Sequence, residues 1–221
     1  MALTDTQYLT LQAAFDHFNM ELFGGSLPQT LITLQRHKGA RGYFWRDRFA
    51  SRPSLSANAP QSASEIALNP DEFAGRTDQE ILSTLVHEMV HHWQAEHGTM
   101  PRTGYHDRQW ASKMREVGLH PSTTGAPGGR ETGPSVTHYI VVDGPFDCTS
   151  RALLRRGGAL FWQSAATDDA AKKRAKKKAA SKTKFTCAGC EANAWGVSTL
   201  HLTCTDCEMP MLAADAEDGN D

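Results

Sequence analysis

TDQEILSTLVHEMVHHWQAEHG, residues 77–98, decides how this chain is read. Thr77 with Glu80 three residues later is a capping-box pattern, in which hydroxyl and carboxylate each satisfy a backbone N–H that the first helical turn leaves unpaired. After it, Ile81, Leu82, Leu85, Val86, Met89, Val90 and Trp93 recur at three- and four-residue spacing. That period marks an amphipathic helix, and Gly98 supplies a stop. The spacing predicts a helix over 78–96.

In the middle of that helix stand His87, Glu88 and His91, an HExxH pattern. Four-residue spacing puts the two imidazoles one turn apart on one face, where both reach a single metal ion, with Glu88 beside them as a general base. Zinc suits such a site because it takes three protein ligands, keeps a fourth position for water and lowers the pKa of that water. The competing reading is a pair of helical histidines that merely form hydrogen bonds, and the capped, amphipathic context weighs against it. A third ligand is needed. His92 is turned away from the His87/His91 face. His97 stands where the metzincin pattern HExxHxxGxxH has its last histidine, but position 94 is Gln rather than Gly and nothing stops the helix before Gly98. On a continuing helix His97 lies ~9 Å of rise beyond His91. His106 follows a loop containing Pro101 and Gly104, which lets the chain return, and it is expected to open the next helix.

Outward from this element, residues 6–23 carry Leu11, Phe15, Phe18 and Leu22 at helical spacing, with Gly24-Gly25 as a stop. Short β-like runs follow at 31–34, 42–45 and 66–68, the last two separated by a Ser/Pro/Ala-rich stretch that reads as a mobile loop. A second helix is expected over 106–117, irregular chain over 120–134, a strand over 136–142 and a short helix over 147–157. Tyr43, Phe44 and Trp45 read as strand aromatics of the core rather than a substrate cleft. Tyr105 is open to two roles, packing or a hydrogen bond to a reacting carbonyl.

The C-terminal part has a different composition. Cys187, Cys190, Cys204 and Cys207 form two CxxC pairs thirteen residues apart, a zinc-ribbon spacing. Four thiolates complete a closed structural site, and in so small a unit the metal supplies most of the folding energy. Zinc is therefore expected twice, once catalytic and once structural. Cys148 is left over and reads as a small apolar residue. The formal charge is −2, but Lys172, Lys173, Arg174, Lys176, Lys177, Lys178, Lys182 and Lys184 form one basic run. Without it, 15 basic residues face 25 acidic ones, a balance of −10. Such a run contacts phosphates or serves as a solvated linker.

The implied organisation is a first domain over 1–165, a basic Ala/Lys linker over 166–184, a four-cysteine ribbon over 185–210 and an acidic, disordered tail over 211–221. The first residues lack the basic and apolar regions of a secretory signal. No run approaches the eighteen or so apolar residues of a membrane span, which excludes membrane partners. The expected location is the reducing cytosol, where paired cysteines bind metal rather than form disulfides.

Several stretches together resemble the SprT-like domain, whose members include the Spartan proteases. They are HEMVHHWQ at 87–94, YHDRQWASKM at 105–114, AFDHFNMELFGGSLP at 14–28, GYFW at 42–45 and IALNP at 66–70, with a weaker echo in THYIVVDGPF at 137–146. The resemblance spans about residues 6–118. It matches His87, His91 and His106 to the family's three zinc ligands and Glu88 to its catalytic glutamate. The fold it implies is α+β, a minimal zincin with helices packed on a small sheet, and relatives often carry a ribbon behind it. The activity it implies is a zinc-dependent metalloendopeptidase acting on DNA-bound or DNA-crosslinked proteins, with protein substrates and single-stranded or structured DNA as partners. Asp107 departs from the Gly that relatives often have there, and an acidic residue is favourable at a helix start. Two other functions stay open: a catalytically silent zincin fold serving as a nucleic-acid-binding scaffold, and a peptidase acting on free cytosolic peptides.

Overall fold

The first helix, α1 (Leu3–Phe23), buries Leu11, Ala14, Phe15, Phe18 and Phe23 at the spacing of one helical face. This computed structural model describes residues 2–52, 62–158, 162–165, 182–197 and 199–213. It divides into two compact units, Met1–Ala165 and Ala166–Asp221. Gly24 ends α1 in the left-handed region at φ 62°, a conformation a side chain strains. Asn19 then holds the following loop by exchanging two hydrogen bonds with the Leu27 backbone, at 2.9 and 3.1 Å.

Three strands follow: β1 (Leu31–Leu34), β2 (Gly42–Ala50) and β3 (Ser62–Leu68). Their order is β1-β3-β2, with β1 parallel and β2 antiparallel to the central β3. Residues paired across neighbouring strands share a face. Ile66 and Leu68 of β3 and Phe44 of β2 therefore face the helices, while Tyr43, Trp45 and Glu65 lie on the opposite face. Of the strand aromatics, only Phe44 joins the core; Trp45 is 54% exposed, with the Arg48 guanidinium 4.2 Å above its ring. Part of the Ser/Pro/Ala-rich stretch, 53–61, lies outside the described residues, and its end, 62–64, belongs to β3.

After a 3-10 turn, Pro70–Glu72, comes α2 (Asp78–His97). Its capping box is present as the sequence implies, Thr77 and Glu80 each bonding the other's backbone N–H. Ile81, Leu82, Leu85, Val86, Met89 and Val90 are buried between the sheet and the remaining helices. A short strand, β4 (Tyr105–His106), precedes α3 (Arg108–Glu116). His106 thus does not open a helix. Asp107 is the N-cap, its carboxylate accepting the Trp110 N–H at 2.9 Å, so helical geometry starts only at residue 108. The 120–134 stretch is less irregular than expected, because β5 (Leu119–Ser122) pairs with β7 (Thr137–Ile140), and β6 (Gly133–Pro134) pairs with β4. The last helix of this unit, α4 (Pro145–Arg155), starts with Pro at its first position. That suits a site where no N–H is needed.

In the second unit, β8 (Lys182–Cys187), β9 (Asn193–Val197), β10 (Thr203–Cys204) and β11 (Met209–Ala213) form a sheet of order β10-β11-β8-β9. Phe185 and Cys187 are buried. The architecture is mixed α+β.

Candidate metal centre

One face of α2 carries Ser83, His87 and His91, each a turn above the last. His106 reaches that face from β4, whose pairing with β6 holds it: His106 Nδ1 lies 3.2 Å from the Gly133 carbonyl oxygen. The loop that returns His106 is fastened by Gln94, whose amide donates to the Thr99 carbonyl at 3.0 Å and to Asp107 at 2.9 Å. Gln94 is fully buried. A glycine here would lose these bonds, and α2 runs on past this position to His97.

The three imidazoles offer nitrogen atoms that all lie within 4.8 Å of one another, so they could hold one metal ion. Their rings rest on one floor, the fully buried Trp110, with centroids 4.9, 5.3 and 4.3 Å from those of His87, His91 and His106. Burial lowers all three pKa values. His87 sits well below the ordinary value and His91 falls to about 3, each pushed further by neighbouring imidazoles, while His106 is also lowered. The rings are thus neutral at pH 7, and neutral imidazole is the form that ligates. A three-histidine donor set of this kind fits zinc.

Glu88 is 5% exposed, and burial pushes its carboxyl up to about 8, against a backbone hydrogen bond from Phe44 that opposes the rise. The start of β2 presses against it. A Cβ at Gly42 would lie 3.2 Å from Glu88 Oε1 and 2.8 Å from the Ala67 carbonyl oxygen, so only glycine allows this approach. The other histidines of the region are elsewhere. His97 Nε2 sits 3.1 Å from the Ser26 carbonyl oxygen, and His92 is stacked between Phe44 and Phe15. Tyr105 packs beneath Arg102, 4.8 Å from ring to guanidinium.

One residue of the site was missed in the sequence. His138 of β7 places Nδ1 3.1 Å from His87 Nδ1 and Nε2 2.8 Å from Ser83 Oγ. Burial lowers its pKa to about 3. Its signal was an imidazole at the inward position of an alternating strand, facing as Val136 and Ile140 do. Without a partner in view, that pattern says only that the residue is buried.

In the second unit, the sulfurs of Cys187, Cys190, Cys204 and Cys207 also lie within 4.8 Å of one another. Cys190 Sγ is 3.6 Å from Cys204 Sγ, and the Gly189 N–H points at Cys187 Sγ from 3.4 Å. Backbone N–H groups of Cys190 and Gly189 lower the Cys187 thiol to about 7, whereas the neighbouring thiols push Cys207 up to about 12. Four crowded thiols that cannot all ionise alone are a donor set that a divalent cation satisfies, and the set is compatible with a zinc ribbon. Cys148 is exposed, with Sγ 3.5 Å from the Asp143 carbonyl oxygen. It follows the N-terminal turn of α4 on the solvent side.

Of the basic run, Lys172, Lys173, Arg174, Lys176, Lys177 and Lys178 lie outside the described residues. Lys182 begins β8, and exposed Lys184 stands in register with Trp195, which is 63% exposed.

The model of the SprT-like family matches residues 11–136, more than half of the chain. An uncharacterized protein in the mucB 3′ region of Salmonella typhimurium is 49% identical over 51 residues, which cover 23% of this chain and 69% of that protein.

Proposed function

The chain belongs to the SprT-like family, a metalloprotease-type family, and from that premise we propose that it is a zinc-dependent metalloendopeptidase acting on DNA-bound or DNA-crosslinked proteins. The observation that carries the hydrolytic reading is the cluster of His87, His91 and His106 around one point, next to the buried carboxylate of Glu88. Zinc held by these three imidazoles would supply Lewis acidity toward the scissile carbonyl and acidify a bound water, and its positive charge would favour the ionised form of Glu88. In that ionised form, which burial alone opposes, Glu88 takes the proton of the attacking water and returns it to the leaving amine. Gly42 and the Phe44 N–H hold the carboxylate in place from β2, and Trp110 seats the imidazoles and keeps solvent from behind them.

Glu88→Gln tests the chemistry because it keeps shape while removing the base. Proteolysis should fall by about a hundredfold or more, with zinc content and melting behaviour unchanged. Near-normal cleavage by this variant would remove the proposed mechanism.

The closed four-cysteine site is read as structural zinc in a ribbon behind a zincin fold, giving two zinc ions per chain. Two features support DNA as the platform for the substrate. The basic run concentrates eight positive charges in a chain whose remainder is −10. On β8 and β9, a lysine and an exposed tryptophan share one face, the combination of phosphate contact and base stacking that single strands favour.

A further inference from the structure

His138 adjoins the metal centre without belonging to it, and both of its ring nitrogens are engaged. We propose that His138, steered by Ser83, is a positioning residue that locks His87 in the tautomer leaving the His87 Nε2 lone pair for the metal; this rests on the metalloprotease reading above.

The assignment follows from counting protons. The Ser83 hydroxyl has one proton, and we assign it to the Glu80 carbonyl oxygen 2.7 Å away, which can only accept. Ser83 Oγ can then only accept from His138 Nε2, 2.8 Å away, which makes that nitrogen an N–H. Neutral His138 is left with a lone pair on Nδ1, and the 3.1 Å contact to His87 Nδ1 needs one proton between two nitrogens. His87 must supply it. A neutral imidazole has a single N–H, so His87 Nε2 is free to ligate. The opposite arrangement, with His138 donating to His87, would put the His87 proton on Nε2 and spoil the site. His106 has its tautomer set by a backbone oxygen, Gly133 O. For His87 the same task falls to a side chain held from another element, β7, while Ser83 sits one turn earlier on the same helix. Outer partners of ligating histidines typically change metal affinity 10–100-fold.

Two measurements on the full chain test this. Long-range 1H–15N spectra of the metal-free protein should show His87 protonated at Nδ1 and His138 at Nε2; the reverse assignment overturns the proposal. Titration with Co2+ then reads the histidine site separately, because the four-cysteine site announces itself by a thiolate charge-transfer band. His138→Ala should weaken Co2+ binding at the histidine site about 10–100-fold. His138→Asn should recover part of that loss, since its amide oxygen can accept the His87 Nδ1 proton, and Ser83→Ala should show a smaller loss. Unchanged affinity in His138→Ala, or an equal loss in His138→Asn, overturns the proposal. If His138→Ala fails to fold by thermal melting, His138→Asn and Ser83→Ala decide: affinity equal to wild type in Ser83→Ala overturns it. A wild-type chain that takes no Co2+ at its histidines rejects the metalloprotease reading itself, and this inference with it.

Discussion

Asp107 shows how much a single side chain decides in this site. It caps α3 through the Trp110 N–H and receives the Gln94 amide, so one carboxylate fixes the start of the helix that carries Trp110 and the end of the loop that delivers His106. His97, by contrast, leaves the site at the end of α2 and meets the Ser26 carbonyl. These positions separate two ligand sets by experiment. His106→Ala should reduce zinc from two ions per chain to one, while His97→Ala should keep both, as read by metal analysis of the purified variants. A chain emptied at its histidine site by His97→Ala and not by His106→Ala would assign the third ligand to His97.

At the level of elements, the junction between α2 and α4 carries its own electrostatic signature. Asp147, in the first turn of α4, accepts from the Asp143 backbone N–H at 2.8 Å, from Gln79 of α2 at 2.8 Å and pairs with Arg151 at 3.1 Å. The backbone N–H first, then Gln79, hold its carboxyl below the usual aspartate value, with Arg151 adding to the effect. A depressed folded-state pKa means stabilisation that is present above the unfolded value, ~3.9, and is lost as pH falls through the folded one. Asp147→Ala should therefore cost about 1.5–3 kcal/mol at pH 7, the range for hydrogen bonds to a charged group. That cost should shrink as the pH drops below ~4. Urea denaturation of both proteins across this range checks it, and a difference independent of pH would show that the carboxylate charge is not what matters.

For the molecule as a whole, the uneven charge gives the sharpest prediction. A remainder at −10 is repelled by phosphates, so DNA affinity should depend on the 172–184 run and the unit that contains it. Removing residues 166–221 should weaken binding strongly while peptide cleavage persists in Met1–Ala165, which is a compact unit. Neutralising the eight basic residues should flatten the dependence of binding on salt, because each phosphate contact adds roughly 0.7–0.9 to the logarithmic slope. A truncated chain that binds DNA as tightly as the full one at the same salt would move the DNA site into the first unit.

What the sequence determined by itself was local. The capping box, the apolar period of α2, the one-turn spacing of His87 and His91 and the doubled CxxC are all set by neighbours a few residues apart, so periodicity alone exposes them. His106 was within reach because a loop with Pro101 and Gly104 marks where the chain can turn, although its place in a strand was not: β4 exists only because Gly133, 27 residues beyond His106, and Pro134, 29 beyond Tyr105, come to pair with it. The packing of Phe44 against His92, with Trp45 on the outer face, was likewise settled by register with β3. His138 is the fullest case. It lies 51 residues from His87 and 55 from Ser83, and neither distance leaves a mark in the local pattern. Only the pairing of β7 with β5 beside α2 brings the rings together, because a hydrogen bond between remote side chains is decided by where the backbone carries them.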